Sequence, residues 1–201
     1  MITKVPRRAR VLLPIAALVV TGCTVLSAIL PSPPPPTTAT VELRDLEGKI
    51  VGNATLTQMS DGVRLVLDAR GLPAGGKAVH FHDAGRCEPP FSSAGGHFNP
   101  ERKRHGLLNP DGPHAGDLAN IRIGADGAGR LETMDYRVSL DPGTSSLFDT
   151  DGTALVIHAG PDDFSTDPTG NSGAPIACGV LSRTKTNGDE VGGPEGPRTR
   201  P

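Results

Sequence analysis

The stretch VHFHDAGRC, Val79–Cys87, opens with apolar Val79 and Phe81 alternating with His80 and His82. A period of two is the mark of a β-strand with one face in a core. On such a strand both imidazoles project from the same face. Paired histidines are common without a metal, so this pair needs support from the rest of the chain.

Short segments of the same kind recur on both sides. TVELRDL (Thr40–Leu46), VGNATLTQM (Val51–Met59) and GVRLVLDAR (Gly62–Arg70) precede AVHFHD (Ala78–Asp83). LANIRIG (Leu118–Gly124), GRLETMDYRV (Gly129–Val138), ALVIHA (Ala154–Ala159) and IACGVLS (Ile176–Ser182) follow. Gly, Asp, Asn or Pro bounds most of them, and Asp61-Gly62 and Asp126-Gly127 are hairpin-type turns. No helical period of useful length intervenes. Eight such strands predict an all-β domain, an eight-stranded Greek-key β-barrel or sandwich. With five Phe, one Tyr and no Trp, its core must rest on Val, Leu and Ile. Residues 84–117 and 160–175 are long for loops, and long loops on a compact β scaffold carry function.

The chain ends read differently. Lys4, Arg7, Arg8 and Arg10 precede the apolar run Val11–Val20, interrupted only by Pro14, and then VTGC, Val20–Cys23. This describes an export signal over residues 1–22, and the run is too short to span a bilayer. The small residues before Cys23 resemble a bacterial lipoprotein signal, in which that cysteine is lipidated; an ordinary secretory signal with an incidental cysteine is the alternative. Arg7-Arg8 also reads as a twin-arginine pair, so two export routes stay open. PSPPPPT (31–37) in the linker 23–39 is a stiff spacer, and 184–201 is a tail of disordered composition. The expected location is the outer face of a bacterial membrane, held by lipid, or the periplasm.

Removing residues 1–22 leaves 16 basic and 22 acidic residues, a formal charge of −6, which argues against a nucleic-acid partner. With Cys23 assigned to lipid, Cys87 and Cys178 remain as an even pair in an exported protein, and a disulfide is the default reading.

All six histidines fall on the two long loops or the strands beside them. His97, His105 and His114 lie in the first loop, with Asp117 three residues further on, and His158 ends ALVIHA. Two metals can be built from this set. His80, His82, His158 and one loop histidine make an imidazole-rich group suited to copper. The loop histidines with Asp117 make a tetrahedral group suited to zinc.

Across about 145 residues, Thr40–Ser182, the chain resembles the copper,zinc superoxide dismutases. GLPAGGKAVHFHDAGRC, AGGHFNPERKRHG, GPHAGDLANI, LVIHAGPDD and GNSGAPIACGV carry the resemblance. Spacings of 8, 9 and 3 between His97, His105, His114 and Asp117 match the family's zinc loop. The resemblance implies copper on His80, His82, His97 and His158, and zinc on His97, His105, His114 and Asp117. It makes His97 the bridge and the catalytic proton carrier. It places Asp162 where a carboxylate orients His80 and His105, and Cys87 and Cys178 at the disulfide positions. A cupin-type site, which also uses His-x-His, fits poorly: Glu88 comes too late, and PDGPH does not fit the second motif.

The implied reaction is disproportionation of superoxide to oxygen and hydrogen peroxide, and a homodimer is implied without a surface being selected. Two positions depart from the family, and one of them bears on function. The arginine that guides superoxide falls where this chain has Pro175. Between His158 and Cys178 stand Asp162, Asp163 and Asp167 and no Lys or Arg, so local charge repels an anion. Arg102, Lys103, Arg104 and Arg183 are candidate substitutes, read first as solvated surface charges. Ala78 stands where the family more often has Gly. Two rival readings follow: a non-enzymatic copper- and zinc-binding protein, and a barrel with zinc alone.

Overall fold

The computed structural model describes residues 37–184. The export signal, Cys23, most of the proline-rich spacer and the tail lie outside the described residues.

Three strands form a meander: β1 (Thr38–Asp45), β2 (Ile50–Met59) and β3 (Gly62–Ala69). Met59 pairs with Gly62, so the β2–β3 hairpin turns on two residues. Further along come β4 (Gly75–Lys77), β5 (Val79–His82), β6 (Ile121–Ile123), β7 (Gly129–Asp135), β8 (Ala154–His158), β9 (Pro175–Val180) and β10 (Ser182–Arg183). The main sheet is antiparallel, in the order β5-β8-β9-β1-β2-β3-β7, with β10 also on β1. β4 pairs with β6; β4 runs directly into β5, and β6 packs on β7. This curled sheet with its crossovers is the Greek-key barrel expected from the sequence.

The barrel is filled by one side of each strand. Leu43, Leu56, Leu65, Leu67, Phe81, Ile121, Leu155 and Ile157 are fully buried and share one apolar cluster. A second, smaller cluster lies outside it, where Phe91 and Ala94 of the long loop cover Ala154, Val156 and Cys178. β8 therefore has both faces buried, its alternate residues serving two cores. The Cys87–Cys178 disulfide joins the long loop to β9 beside this second core, with Cα atoms 5.6 Å apart.

The long loop returns along β5. Phe98 N–H donates to the Phe81 carbonyl at 2.8 Å, Phe81 N–H to Gly116 at 2.9 Å, and Gly116 N–H to Phe98 at 2.8 Å. A Cβ on Gly116 would overlap the Phe81 carbonyl oxygen, so glycine permits this close approach. These bonds lay His97 and Asp117 beside β5 as isolated bridges to His82 and His80.

Two details differ from the sequence reading. Among the described residues there are ten strands rather than eight, because β4 and β10 are too short to show a period. β6 and β7 are also shorter than LANIRIG and GRLETMDYRV. Asn120 and Arg137 lie just outside the ladders, with their side chains bonded to the Asp162 and Asp117 carbonyls at 2.9 Å and 2.7 Å.

Replacing Cys87 and Cys178 with serine is expected to lower unfolding free energy by about 2–5 kcal/mol, since the bridge closes a long loop. Denaturant titration of the oxidised protein against the variant measures this. Leu65→Ala, at a fully buried site, is expected to cost about 2–5 kcal/mol in the same assay.

Candidate metal centre

His80 and His82 leave β5 on the face away from the barrel core, yet both are buried. The cover is the long loop on one side and residues 159–174 on the other. His97, His105, His114, Asp117, His158 and Asp162 are buried there with them. All eight side chains singled out in the sequence thus meet in one place.

Protein partners fix the ring tautomers. His80 Nε2 donates to Asp162 Oδ2 at 2.8 Å, which leaves Nδ1 as a lone pair. His82 Nδ1 donates to the Gly95 carbonyl and His158 Nδ1 to the Gly173 carbonyl, both at 2.9 Å, leaving two Nε2 lone pairs. Those two Nε2 atoms stand 3.4 Å apart. His80 Nδ1 and His97 Nε2 are buried with no hydrogen-bond partner. One nitrogen from each of these four rings lies within 4.8 Å of the others. Buried lone pairs that face one another without a donor repel, and a cation among them removes the penalty.

The second group is organised by a carboxylate. Asp117 Oδ1 lies 2.9 Å from His97 Nδ1, 3.0 Å from His105 Nδ1 and 3.3 Å from His114 Nδ1. Its Oδ2 accepts the backbone N–H groups of Gly106 and His114. Three imidazoles and one carboxylate form the donor set of a tetrahedral zinc site. The His97 ring belongs to both groups.

Asp162 joins the groups, with Oδ1 3.0 Å from His105 Nε2 and Oδ2 on His80. Asn120 clamps its backbone, giving a bond at 2.9 Å and accepting one at 2.8 Å. Gly170, at φ 64°, lets the chain pass Asp162 where a side chain would collide with the carboxylate. Asn120 was not legible as a site residue, because it bonds to backbone and carries no ligand spacing.

The two groups differ electrostatically. Burial pushes His80 down to about 4, against the pull of Asp162, and His82 down to about 3. Burial also lowers His158. Burial alone would lower His105, but hydrogen bonds to Asp117 and Asp162 outweigh it and hold the ring up at about 9. Burial would raise the Asp117 and Asp162 carboxyls, yet the histidines around them hold both well below the usual carboxylate range.

Pro175 opens β9 and pairs with His158, beside the four-histidine group. Two of the four candidate replacement cations are engaged elsewhere. Lys103 pairs with Glu101 at 2.6 Å, and Arg183 lies over the Phe148 ring at 4.1 Å.

Comparison with known proteins agrees with this architecture. Residues 50–181 match the model of the copper/zinc superoxide dismutase family. A Cu-Zn superoxide dismutase of Aquifex aeolicus is 51% identical over 146 residues, covering 71% of this chain and 85% of the relative. One from Caulobacter vibrioides is 45% identical over 147 residues, covering 71% and 84%. The crystal structure of a superoxide dismutase-like protein from Bacillus subtilis superposes with a TM-score of 0.67 at 41% identity, covering 70% of this chain and 96% of that one. The chain belongs to the copper/zinc superoxide dismutase family. It is an oxidoreductase of that class, with copper and zinc as its cofactors.

Two outcomes follow. Asp162→Ala removes the acceptor for one imidazole of each group, and is expected to weaken both metals about 10–100-fold in chelator competition. In the metal-free protein a raised His105 is protonated at about pH 7.5, so zinc must displace that proton; affinity falls as pH drops below about 9. His80 and His82 are already neutral there and release none to copper. Calorimetry in two buffers of different ionisation enthalpy measures both proton counts.

Proposed function

We propose that the protein disproportionates superoxide at the cell envelope, using copper on His80, His82, His97 and His158 and zinc on His97, His105, His114 and Asp117. The observation that supports this reading best is the convergence of four ring nitrogens, two of them buried without a partner. Such atoms fit a bound cation and fit an apolar or water-filled pocket poorly.

Copper held there would supply one-electron redox chemistry, and zinc would supply a fixed positive charge. The chain's own residues do the rest. Gly95, Gly173 and Asp162 hold three imidazoles in the tautomer that presents a lone pair. His97 Nε2, buried without a hydrogen-bond partner, is the atom placed to carry a proton to the reacting oxygen. The covering loops bury the histidine rings and leave a cavity beside His97.

Pro175 separates building the centre from feeding it. An arginine there would add positive charge and hydrogen-bond donors beside His158; proline adds neither. The same observation favours a second reading, a non-enzymatic copper- and zinc-binding protein of the same fold. Superoxide turnover by the protein loaded with both metals distinguishes them. The enzyme reading expects copper-dependent turnover, raised about 10–100-fold by Pro175→Arg, the size of one charge-assisted hydrogen bond. No turnover in either form, with copper bound, would leave only the binding function.

Export and anchoring belong to the same reading. The basic start, short apolar run and VTGC favour lipidation at Cys23, and the proline-rich segment then sets the domain off the membrane. Metabolic labelling with a fatty-acid analogue is expected to mark the protein and to miss Cys23→Ser.

A further inference from the structure

The Asp117 carboxylate is held by its own loop, through Gly106 and His114. Its backbone is held from elsewhere. The Asp117 carbonyl accepts Arg137 Nη2 at 2.7 Å. Arg137 lies just past the end of β7, on the barrel wall, where Asp135 pairs with Val63 of β3.

The guanidinium is fixed in turn. Its Nε donates to Asp135 Oδ1 at 2.8 Å, and the Arg137 backbone N–H donates to the same oxygen at 3.0 Å. Asp135 is 1% exposed, and its second oxygen has no partner. A buried carboxylate with half its acceptor capacity unused is an expensive way to finish a strand, and an apolar residue serves a barrel at least as well. Barrel stability alone does not account for the pair. What the pair does accomplish is to aim a planar, forked donor at the backbone of Asp117, where the long loop rejoins the barrel.

We propose that Asp135 and Arg137 form a strut from the barrel wall to Asp117, and that this strut sets how long zinc is retained. The proposal rests on the zinc-ligand reading given above. Besides the strut, the Asp117 backbone is tied by an N–H···O bond to His114, long at 3.3 Å, and by an isolated bridge to His80. Releasing the carbonyl lets the carboxylate swing relative to His97 and His105, and ligand orientation governs retention. Lysine cannot replace the arginine here. Its single nitrogen keeps the charge beside Asp135 but lacks the fixed fork that reaches both oxygens. Arg137 and Asp135 are positioning residues; neither touches the metal in this account.

The test is zinc release from the zinc-loaded full chain into excess chelator, with melting of the metal-free form in parallel. Arg137→Lys and Arg137→Gln are expected to release zinc about tenfold faster or more, with Arg137→Lys melting close to wild type when metal-free. Cobalt(II) in the zinc position should show an altered visible spectrum in both variants. Leu131→Ala, a core change on the same strand, should lower melting without changing release. Release within about twofold of wild type in both Arg137 variants would overturn the strut. So would equal acceleration by Leu131→Ala, which would reduce the pair to a structural role. His114→Ala separates the two claims: unchanged zinc retention there would remove the ligand reading itself, whereas loss there with no effect at Arg137 would remove only the strut.

Discussion

One buried carboxylate, Asp162, ties the two halves of the centre together. Its oxygens meet His80 on β5 and His105 in the long loop, and its backbone is clamped by Asn120. Each bond to a ring Nε2 fixes that nitrogen as the donor to protein and turns Nδ1 toward the metal position. On the other side Asp117 gathers the Nδ1 atoms of three imidazoles around one oxygen, the donor set proposed for zinc. The loops pay an entropic cost to be ordered here, and these buried charge-assisted bonds offset it.

The fold makes the arrangement possible by giving β5 and β8 two buried faces. Phe81, Leu155 and Ile157 fill the barrel, while His80, His82 and His158 leave on the other side. The disulfide and the small cluster around Phe91 hold the long loop over that outer face. Gly116 lets the returning backbone come close enough to hydrogen-bond with β5.

Much of this was legible before any coordinates. Alternation at Val79–His82 gave a strand and a shared histidine face, and the spacing from His97 to Asp117 gave the second group. The barrel followed from recurring short strands. What stayed hidden has a common physical cause. The Gly95 and Gly173 carbonyls that set two tautomers are backbone atoms, which no side-chain pattern marks. Asn120 and Arg137 act across 42 and 20 positions of sequence and bond to backbone. Strands of two or three residues, β4 and β10, hold too few residues for a period. Pro175 shows the converse: the family resemblance implied an arginine there, and the ladder places the proline opposite His158. Holding the metals and drawing in an anion are separate physical tasks, and Pro175 adds neither charge nor a side-chain donor to the second.

The central claim is that two different ions share the His97 ring. Anomalous diffraction at the copper and zinc absorption edges, from crystals of the protein loaded with both metals, tests it most directly. The account predicts a copper peak among His80 Nδ1, His82 Nε2, His97 Nε2 and His158 Nε2, and a zinc peak among the Nδ1 atoms of His97, His105 and His114 with Asp117. A single peak, zinc alone in both positions, or copper bound away from His97 would contradict it.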